Sequence, residues 1–545
     1  MPLEQRILDQ LGKLYPNHDG RELLTQCKAA LGESEPAIDS TKWSERDAVL
    51  ICYPDQIVDE DQAPLAVLET VLQEMGEAFS TIHILPFYPS SSDGGFAVTD
   101  HHVVDEQFGS WANITSISST HQVMADLVLN HVSSSHRWVE QFGADIEPGR
   151  SCLKTASPDD DVSAVVRPRT SDLLVPCETT AGTKYLWCTF GPDQVDVDWE
   201  EPEVLLEMLR VIDVLLLAGI RWFRLDAVAY VQKHVGTSCI HLEETHELVR
   251  LLRDLLTWRN PRAALITETN VPHDENLSYL RDGQQAHVAY NFTLAPLLTH
   301  ALAVGSSTKL ADWLREAEQP PERTTLLNFL SSHDGIGLRP AEGILNEDEI
   351  QALVDASVQA EGTWSGRSHG DDILPYELNV SATSLLGVDR LLTAHTVLAS
   401  LRGIPTFYLP AVDGEPNDIE AAEKQGDNRA LNRPKRTVTA RQAALSGKRK
   451  TARDELFRRL SVRREIPAFH PEATQQVMNL ESPLLGIVRG DEASSVRVIA
   501  NLGFTDMTLN VRDRSTDLLS GQEIYGELLI APGDVFWLST TSARS

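Results

Sequence analysis

The sequence has few cysteines, and their arrangement indicates neither a disulfide framework nor a zinc site. The six cysteines, at positions 27, 52, 152, 177, 188 and 239, are scattered, with no Cys-X-X-Cys pair among them. Disulfide-rich scaffolds and structural zinc sites depend on closely spaced cysteines. We therefore expect reduced thiols and a cytoplasmic protein.

Long apolar runs are also lacking. The longest, at 211–220 and 398–405, are interrupted by charge or are too short to span a bilayer, which needs about 20 apolar residues. The N-terminus has neither the basic region nor the apolar run of a signal peptide, and its apolar spacing predicts a short amphipathic helix instead. These patterns predict no membrane segment.

Basic residues are scarce, since 47 lysines and arginines stand against 80 acidic residues and give a net charge of −33. Nucleic acids are bound by basic surfaces, so this balance argues against a nucleic-acid partner. The excess of acid indicates a strongly solvated surface. One stretch, 428–436, differs in having four cations and no acidic residue.

The chain does contain a repeated alternation of short apolar segments and helical stretches, which is typical of βα units around a parallel sheet. Eight segments have the length and composition of strands, and eight is the number that a (β/α)8 TIM barrel needs. The predicted strands are 48–52, 81–86, 122–129, 219–226, 263–268, 287–291, 324–331 and 404–409.

Further regions are predicted around this barrel. About ninety residues separate the third and fourth predicted strands, too many for an ordinary barrel loop, which predicts an inserted domain. A second stretch, 342–379, is expected to be irregular, and short alternating strands from about 471 indicate a small β-domain. The predicted domains are a helical extension at 1–45, a catalytic barrel at 46–131 and 219–470, an inserted domain at 132–218 and a C-terminal β-domain at 471–545.

Four of the predicted strands end in polar residues. Asp226, Glu268 and the pair His333-Asp334 end three of them, and Asn130-His131 ends another. In a TIM barrel the carboxyl ends of the strands carry the active site. One such carboxylate is more often a helix cap, but this set places three carboxylates and two imidazoles around one rim and predicts a catalytic site.

These four segments resemble the sequence signatures of the α-amylase superfamily, and the resemblance covers most of the chain. It implies that Asp226 is the nucleophile, Glu268 the general acid/base and Asp334 the carboxylate that stabilises the transition state. Arg224 matches the family's arginine, and the two histidines match those that hold the glucosyl ring. A catalytically inactive binding subunit is disfavoured because the three carboxylates and Arg224 are all present.

This set of residues suits the cleavage of an α-glucoside with retention, through two displacements and oxocarbenium-like transition states. A carboxylate beside Arg224 stays ionised and can attack the anomeric carbon. Glu268 must carry a proton near neutral pH, and burial or a neighbouring negative charge provides this by raising its pKa. Retention predicts that the carboxyl groups of Asp226 and Glu268 lie about 5–5.5 Å apart.

The segment from His83 to Phe96 resembles the sucrose phosphorylase group, whose members transfer one glucose to inorganic phosphate. The resemblance implies that Asp93 pairs with Arg429 and closes the far side of the glucosyl site. It also implies that Phe96 forms an apolar wall and that Tyr230 lies near phosphate. An ordinary surface ion pair between Asp93 and Arg429 is the alternative.

Two segments depart from sucrose phosphorylases, Glu268-Thr-Asn270-Val-Pro-His and Gly335-Ile-Gly-Leu-Arg339-Pro-Ala-Glu-Gly. They most resemble glucosylglycerate phosphorylases, which implies that 2-O-α-glucosylglycerate and phosphate are converted to α-glucose 1-phosphate and D-glycerate. Asn270 and Arg339 are the expected contacts with the aglycone, since a guanidinium binds a carboxylate through two hydrogen bonds. The alternative is that Arg339 anchors its own loop, for example on Glu342.

The residues alone leave other acceptors open. Sucrose phosphorylase, sucrose 6′-phosphate phosphorylase, hydrolase and transglucosidase activities use the same three carboxylates, and Arg339 also suits a phosphorylated acceptor. The cations of 428–436 fit phosphate as a substrate, but Arg433 and Lys435 are equally compatible with solvent-facing charges at a helix end. We expect no metal, no organic cofactor, and either a monomer or a homodimer.

Overall fold

A computed structural model of the chain describes residues 1–35, 42–169, 171–369, 372–491 and 494–540. Eight parallel strands close into a barrel, and only these strands are numbered here. They are β1 Val49–Cys52, β2 Thr81–Ile84, β3 Gln122–Val128, β4 Trp222–Asp226, β5 Ala264–Thr267, β6 Val288–Tyr290, β7 Thr325–Asn328 and β8 Ile404–Tyr408.

Each barrel strand pairs with the next one along the chain, and β1 closes the barrel by pairing with β8, where Ile51 lies opposite Tyr408. Every strand lies within a segment that the sequence predicts as a strand, so the predicted TIM barrel is confirmed. The strands β1, β2, β5 and β7 are buried at every position, because side chains fill the barrel and helices cover its outer face.

Helices surround the barrel and extend it at the N-terminus. The first helix packs on helix Glu243–Arg259, where Arg6 pairs with Asp254 at 2.6 Å. The α-helices are Leu3–Leu14, Gly20–Leu31, Pro64–Met75, Trp111–Thr120, Arg137–Gly143, Gly149–Cys152, Pro202–Leu217, Glu243–Arg259, His273–Leu277, Leu294–Val304, Thr308–Glu316, Glu347–Gln359, Ala382–Ser400, Leu409–Val412, Ile419–Gln425, Val438–Ala444 and Gly447–Arg463. Short 3-10 helices are Asp93–Gly95, Val228–Tyr230, Ser278–Gly283, Arg339–Ala341, Asn428–Asn432 and Pro467–Phe469.

The predicted insertion between β3 and β4 is present. Its strands form two antiparallel pairs, His131–Ser133 with Gln194–Asp196 and Leu174–Thr179 with Gly182–Trp187. Lys233, which follows β4, fastens this region to the barrel: its ammonium lies 2.9 Å from Asn130 Oδ1 and 3.0 Å from Asp196 Oδ2. The boundaries predicted for the inserted domain, residues 132 and 218, stay predictions.

The region after β7 differs from the sequence prediction, because 342–379 is not irregular. It contains helix Glu347–Gln359, which begins with a capping box in which Asn346 and Glu349 exchange side-chain to main-chain hydrogen bonds. A hairpin of strands Thr363–His369 and Asp372–Asn379 follows, and the second strand also pairs with Ile336–Gly337. The hairpin therefore lies directly against the segment that follows Asp334.

The C-terminal region forms a six-stranded antiparallel sheet, which confirms the predicted small β-domain. Its strands are Gln475–Val477, Leu484–Arg489, Val496–Asn501, Met507–Asp517, Glu523–Ile530 and Val535–Thr540. Two remaining strands, Ile57–Val58 and Arg436–Thr437, pair in parallel outside the barrel. Among the described residues, no helix combines the length and the apolar character needed to cross a membrane.

Candidate active site

One cleft at the carboxyl ends of the barrel strands brings together eleven of the twelve residues that the sequence selects. The exception is Arg339, which is not among the lining residues but lies beside one of them, Tyr230. The eleven lining residues are Asp93, Phe96, His131, Arg224, Asp226, Tyr230, Glu268, Asn270, His333, Asp334 and Arg429.

The centre of the cleft is built on β4. Side chains alternate between the two faces of a strand, so Arg224 and Asp226 point the same way, into the barrel mouth. Arg224 Nη1 donates to Asp226 Oδ1 at 2.8 Å and also to the buried carboxylate of Asp126 on β3. His83 on β2 contacts the other oxygen of Asp126 at 2.9 Å. These fixed partners hold the Arg224 guanidinium against Asp226.

Glu268 lies on the other side of the same guanidinium. Its Oε2 is 3.8 Å from Arg224 Nη2 and accepts a hydrogen bond of 3.1 Å from the main-chain N–H of Ala227. Ala227 has a φ of 49°, a left-handed conformation that is uncommon outside glycine. The bend directly after Asp226 thus gives Glu268 a fixed donor.

Burial raises the pKa of both Asp226 and Glu268, and the negative charges around them raise it further. The positive charge of Arg224 opposes this shift. The pair therefore holds a proton under conditions in which ordinary carboxyl groups are ionised. Arg224 is hydrogen bonded to Asp226 but 1 Å farther from Glu268, at 2.8 Å and 3.8 Å. This difference favours the charge on Asp226 and the proton on Glu268.

Asp334 has the opposite electrostatic environment. Burial raises its pKa, but His333, Arg429 and Arg433 outweigh burial and hold the pKa below its usual range. Arg429 Nη1 and Arg433 Nη2 lie 3.2 Å and 3.5 Å from Asp334 Oδ1. Arg433 also donates to the His333 carbonyl at 2.9 Å and is largely buried, so it is not the solvent-facing charge that one interpretation predicts.

One end of the cleft is bounded by side chains around Asp93. Arg429 Nη1 lies 3.5 Å from Asp93 Oδ1, and Gln194 donates to Asp93 Oδ2 at 3.1 Å. Gln194 also contacts His131 Nε2 at 3.0 Å. Because both members of the Asp93–Arg429 pair line the cleft, the pair is not an ordinary surface ion pair. We call this end, bounded by Asp93, Asp334 and Arg429, the glucosyl pocket, because the resemblance of the sequence implies a glucosyl site here.

Aromatic rings line the glucosyl pocket. The rings of Phe96 and His333 stack with an interplanar angle of 8° and a centroid separation of 5.2 Å. Phe96 also lies 5.6 Å from the Arg224 guanidinium. Burial lowers the pKa of His333 to about 3, so this imidazole is neutral at physiological pH and serves as a hydrogen-bonding group.

Tyr230, Asn270 and Arg339 form a second region, which we call the acceptor side. Arg339 lies close enough to hydrogen bond the Tyr230 hydroxyl. Burial raises the pKa of this hydroxyl to about 12, although the charge of Arg339 opposes the shift. Asn270 has a buried amide oxygen without a protein partner among the described residues. Arg339 pairs with Glu275 at 3.7 Å, whereas Glu342 pairs with Arg367, so the proposed anchor on Glu342 is wrong.

Several polar residues of the site are not singled out by the sequence analysis. Asp126 carries a usable signal, because a carboxylate inside a buried strand requires a partner. The others come from the insertion and from the hairpin, where no local pattern marks them. These residues are Asp126, Arg169, Gln194, Tyr376 and Glu377.

The chain is similar to known proteins over nearly its whole length. Residues 70–336 match the family model described as the alpha-amylase catalytic domain. The chain is 39% identical to the glucosylglycerate phosphorylase of Allomeiothermus silvanus, over 98% of each chain. It is 35% identical to the glucosylglycerate phosphorylase of Escherichia coli K12, over 98% of this chain and 100% of that one.

A solved structure shares the fold. The sucrose 6F-phosphate phosphorylase from Thermoanaerobacter thermosaccharolyticum superposes with a TM-score of 0.76 and 22% identity, covering 89% of this chain and 98% of that one.

Proposed function

Because this chain belongs to the α-amylase superfamily and, within it, to the glycoside phosphorylases, we propose that it converts 2-O-α-glucosylglycerate and inorganic phosphate into α-glucose 1-phosphate and D-glycerate. The observation that carries the choice of acceptor is the position of Arg339 beside Tyr230. The full-length similarity to proteins named glucosylglycerate phosphorylase supports the same choice.

The first half of the reaction forms a covalent glucosyl-enzyme. Asp226 attacks the anomeric carbon while Glu268 gives its proton to the glycosidic oxygen, so that glycerate leaves with that proton and Glu268 becomes ionised. Arg224 keeps Asp226 in its charged form through the 2.8 Å hydrogen bond. Asp334, held ionised by its cationic neighbours, binds the glucosyl hydroxyls more tightly as the ring distorts.

The second half returns the enzyme to its starting state. A phosphate oxygen attacks the anomeric carbon and displaces Asp226, while Glu268 takes up the phosphate proton, and two inversions give overall retention. The closed glucosyl pocket admits one sugar unit, because the Asp93–Arg429 pair occupies the position that a longer chain needs. Release of glucose 1-phosphate then leaves Asp226 free.

The acceptor side suits an anion. Arg339 is 17% exposed, and its ion pair with Glu275 is long, at 3.7 Å, so its guanidinium retains donors for a glycerate carboxylate. A second cation, Arg169, lies in the lining of the cleft itself. In the described part of the chain its only hydrogen bond goes to the carbonyl of neighbouring Pro168, at 3.1 Å. Two incompletely paired cations favour anionic substrates in a protein of net charge −33.

The decisive experiment measures α-glucose 1-phosphate after purified protein and phosphate are incubated with one donor at a time. The donors are 2-O-α-glucosylglycerate, glucosylglycerol, sucrose and sucrose 6′-phosphate. We expect product from glucosylglycerate and little from the others. Product mainly from sucrose would disprove the anionic aglycone. Free glucose formed at a rate indifferent to phosphate would show a hydrolase.

We place this reaction in the cytoplasm. All six cysteines are free thiols, which suits a reducing compartment, and they are spread over the barrel, the insertion and the N-terminal helices. The oligomeric state, monomer or homodimer, stays a prediction that size-exclusion chromatography with light scattering tests directly.

A further inference from the structure

Glu377 is a buried carboxylate in the cleft for which the two-step mechanism has no use. It lies on the hairpin strand Asp372–Asn379 and is 3% exposed. Its main chain pairs with Gly337, three residues after Asp334. Burial raises its pKa against the opposing charge of Arg429. A charged group in such a place is costly unless it is fully paired, so its partner indicates its role.

The partner of Glu377 is Arg429, which contacts it through two nitrogens. Arg429 Nε lies 3.3 Å from Oε1 of Glu377, and Nη2 lies 3.2 Å from Oε2. A two-pronged contact of this kind fixes the plane of the guanidinium as well as its position. Arg429 therefore cannot rotate without breaking two hydrogen bonds.

The remaining nitrogen of Arg429 faces the glucosyl pocket. Nη1 lies 3.2 Å from Asp334 Oδ1 and 3.5 Å from Asp93 Oδ1. One nitrogen is thus shared between the two carboxylates that close the pocket. If Glu377 did not occupy the other two nitrogens, Arg429 could turn and form a two-pronged pair with Asp334, which would take both carboxylate oxygens away from the sugar.

We propose that Glu377 is a positioning residue: by holding two nitrogens of Arg429, it limits that arginine to one shared contact with Asp93 and Asp334. Asp334 Oδ2, which lies 3.3 Å from His333 Nε2, then has no contact with Arg429 and can accept from a glucosyl hydroxyl, while Asp93 Oδ2 accepts from Gln194. Glu377 thereby couples the hairpin after β7 to the glucosyl pocket. This role deepens the proposed function, but it concerns formation of the glucosyl-enzyme and not the identity of the acceptor.

The test uses Glu377→Gln, which keeps the size of the side chain and removes its charge and one acceptor oxygen. α-Glucosyl fluoride is the donor, with phosphate as the acceptor, so glucosyl transfer is measured whatever the natural aglycone. We expect kcat/KM for the fluoride to fall about ten- to a hundredfold, as for misplaced catalytic groups, while the KM for phosphate is unchanged. The same factor should apply to 2-O-α-glucosylglycerate.

A matched control comes from the same hairpin. Arg367 pairs with Glu342 at 2.7 Å outside the cleft, and Glu342→Gln should leave the kinetics of both donors unchanged. Adding Glu377→Gln to Arg429→Lys should cost less than the sum of the two single effects, because both break one contact. Melting temperatures identify any variant that fails to fold, and the double-mutant comparison is then made with Glu377→Asp.

Three outcomes would overturn the proposal. They are unchanged fluoride kinetics in Glu377→Gln, a raised KM for phosphate with an unchanged kcat/KM for the donor, or full additivity with Arg429→Lys. If the wild-type protein instead consumes the fluoride but not 2-O-α-glucosylglycerate, the proposed acceptor fails while the role of Glu377 is still measured.

Discussion

Arg224 donates a hydrogen bond of 2.8 Å to Asp226, two residues further along the same strand. A strand places residues i and i+2 on one face, so this contact is a local consequence of β4. It favours the charged form of Asp226 and so opposes the burial that raises the pKa of this carboxyl group.

Asp226→Asn should abolish glucosyl transfer. The amide has nearly the same size but cannot form the glycosyl ester, and we expect a loss of about 10⁴-fold or more in kcat, as for other catalytic nucleophiles. Steady-state assays with both 2-O-α-glucosylglycerate and α-glucosyl fluoride measure it. Asp389→Asn, at an exposed ion pair, is the control, and a loss below tenfold in Asp226→Asn would assign the nucleophile elsewhere.

Glu268→Gln should slow the reaction of one donor much more than that of the other. Glucosylglycerate needs a proton on its leaving oxygen, whereas fluoride leaves without one, so the variant should lose about 10²- to 10⁴-fold with glucosylglycerate and far less in glucosylation by the fluoride. The measurement is the burst of fluoride release in single-turnover experiments. Equal losses with both donors would contradict the acid role.

The pH dependence of the reaction should also differ between the two donors. Burial raises the pKa of Glu268, so the wild-type protein keeps its acid form above the usual carboxyl range and loses kcat/KM for glucosylglycerate as the pH rises through that raised pKa. The alkaline limb should be absent from glucosylation by the fluoride in the same protein. If activity fell at high pH with the same midpoint for both donors, a group other than Glu268 would be titrating.

Arg339→Met should act on the acceptor alone. Removing a guanidinium that binds a carboxylate costs about 1.5–3 kcal/mol, which corresponds to a rise of about ten- to a hundredfold in the KM for D-glycerate in the reverse reaction. Glycerol, which lacks the carboxylate, should gain relative to glycerate. Arg339→Lys is the matched variant, with a smaller effect. If the KM for glycerate were unchanged in Arg339→Met, the only role of Arg339 would be to pair with Glu275.

Lys233→Met should destabilise the protein. Lys233 and Asp196 are both buried and 3.0 Å apart, so removing the ammonium leaves an uncompensated carboxylate at a cost of about 3–5 kcal/mol in the free energy of unfolding. Urea unfolding measures it. The control, Lys448→Met, breaks an exposed pair with Asp389 and should change stability by less than about 1 kcal/mol; equal effects would contradict the structural role of Lys233.

The barrel was predictable because its signals are local. Each strand is a short apolar run followed by helical residues, and the active residues stand at the ends of those runs, as Asp226 and Glu268 do. The fixed geometry of parallel barrels then places such ends on one rim. The hairpin of strands Thr363–His369 and Asp372–Asn379 was missed because its polar sequence has no strong alternation. The two strands pair mainly with each other, and the second also pairs with Ile336–Gly337.

The sequence by itself determined the fold class and selected Asp226, Glu268, Asp334 and Arg224, since these residues lie on regular strands or in the segments directly after them. Only the tertiary structure decided how charges far apart in the chain pair with one another. Glu377 is 52 residues from Arg429, and Arg433 is 99 residues from Asp334. Such contacts depend on how the insertion, the hairpin and the loop after β8 pack over the barrel. The periodicity of the local sequence does not predict that packing.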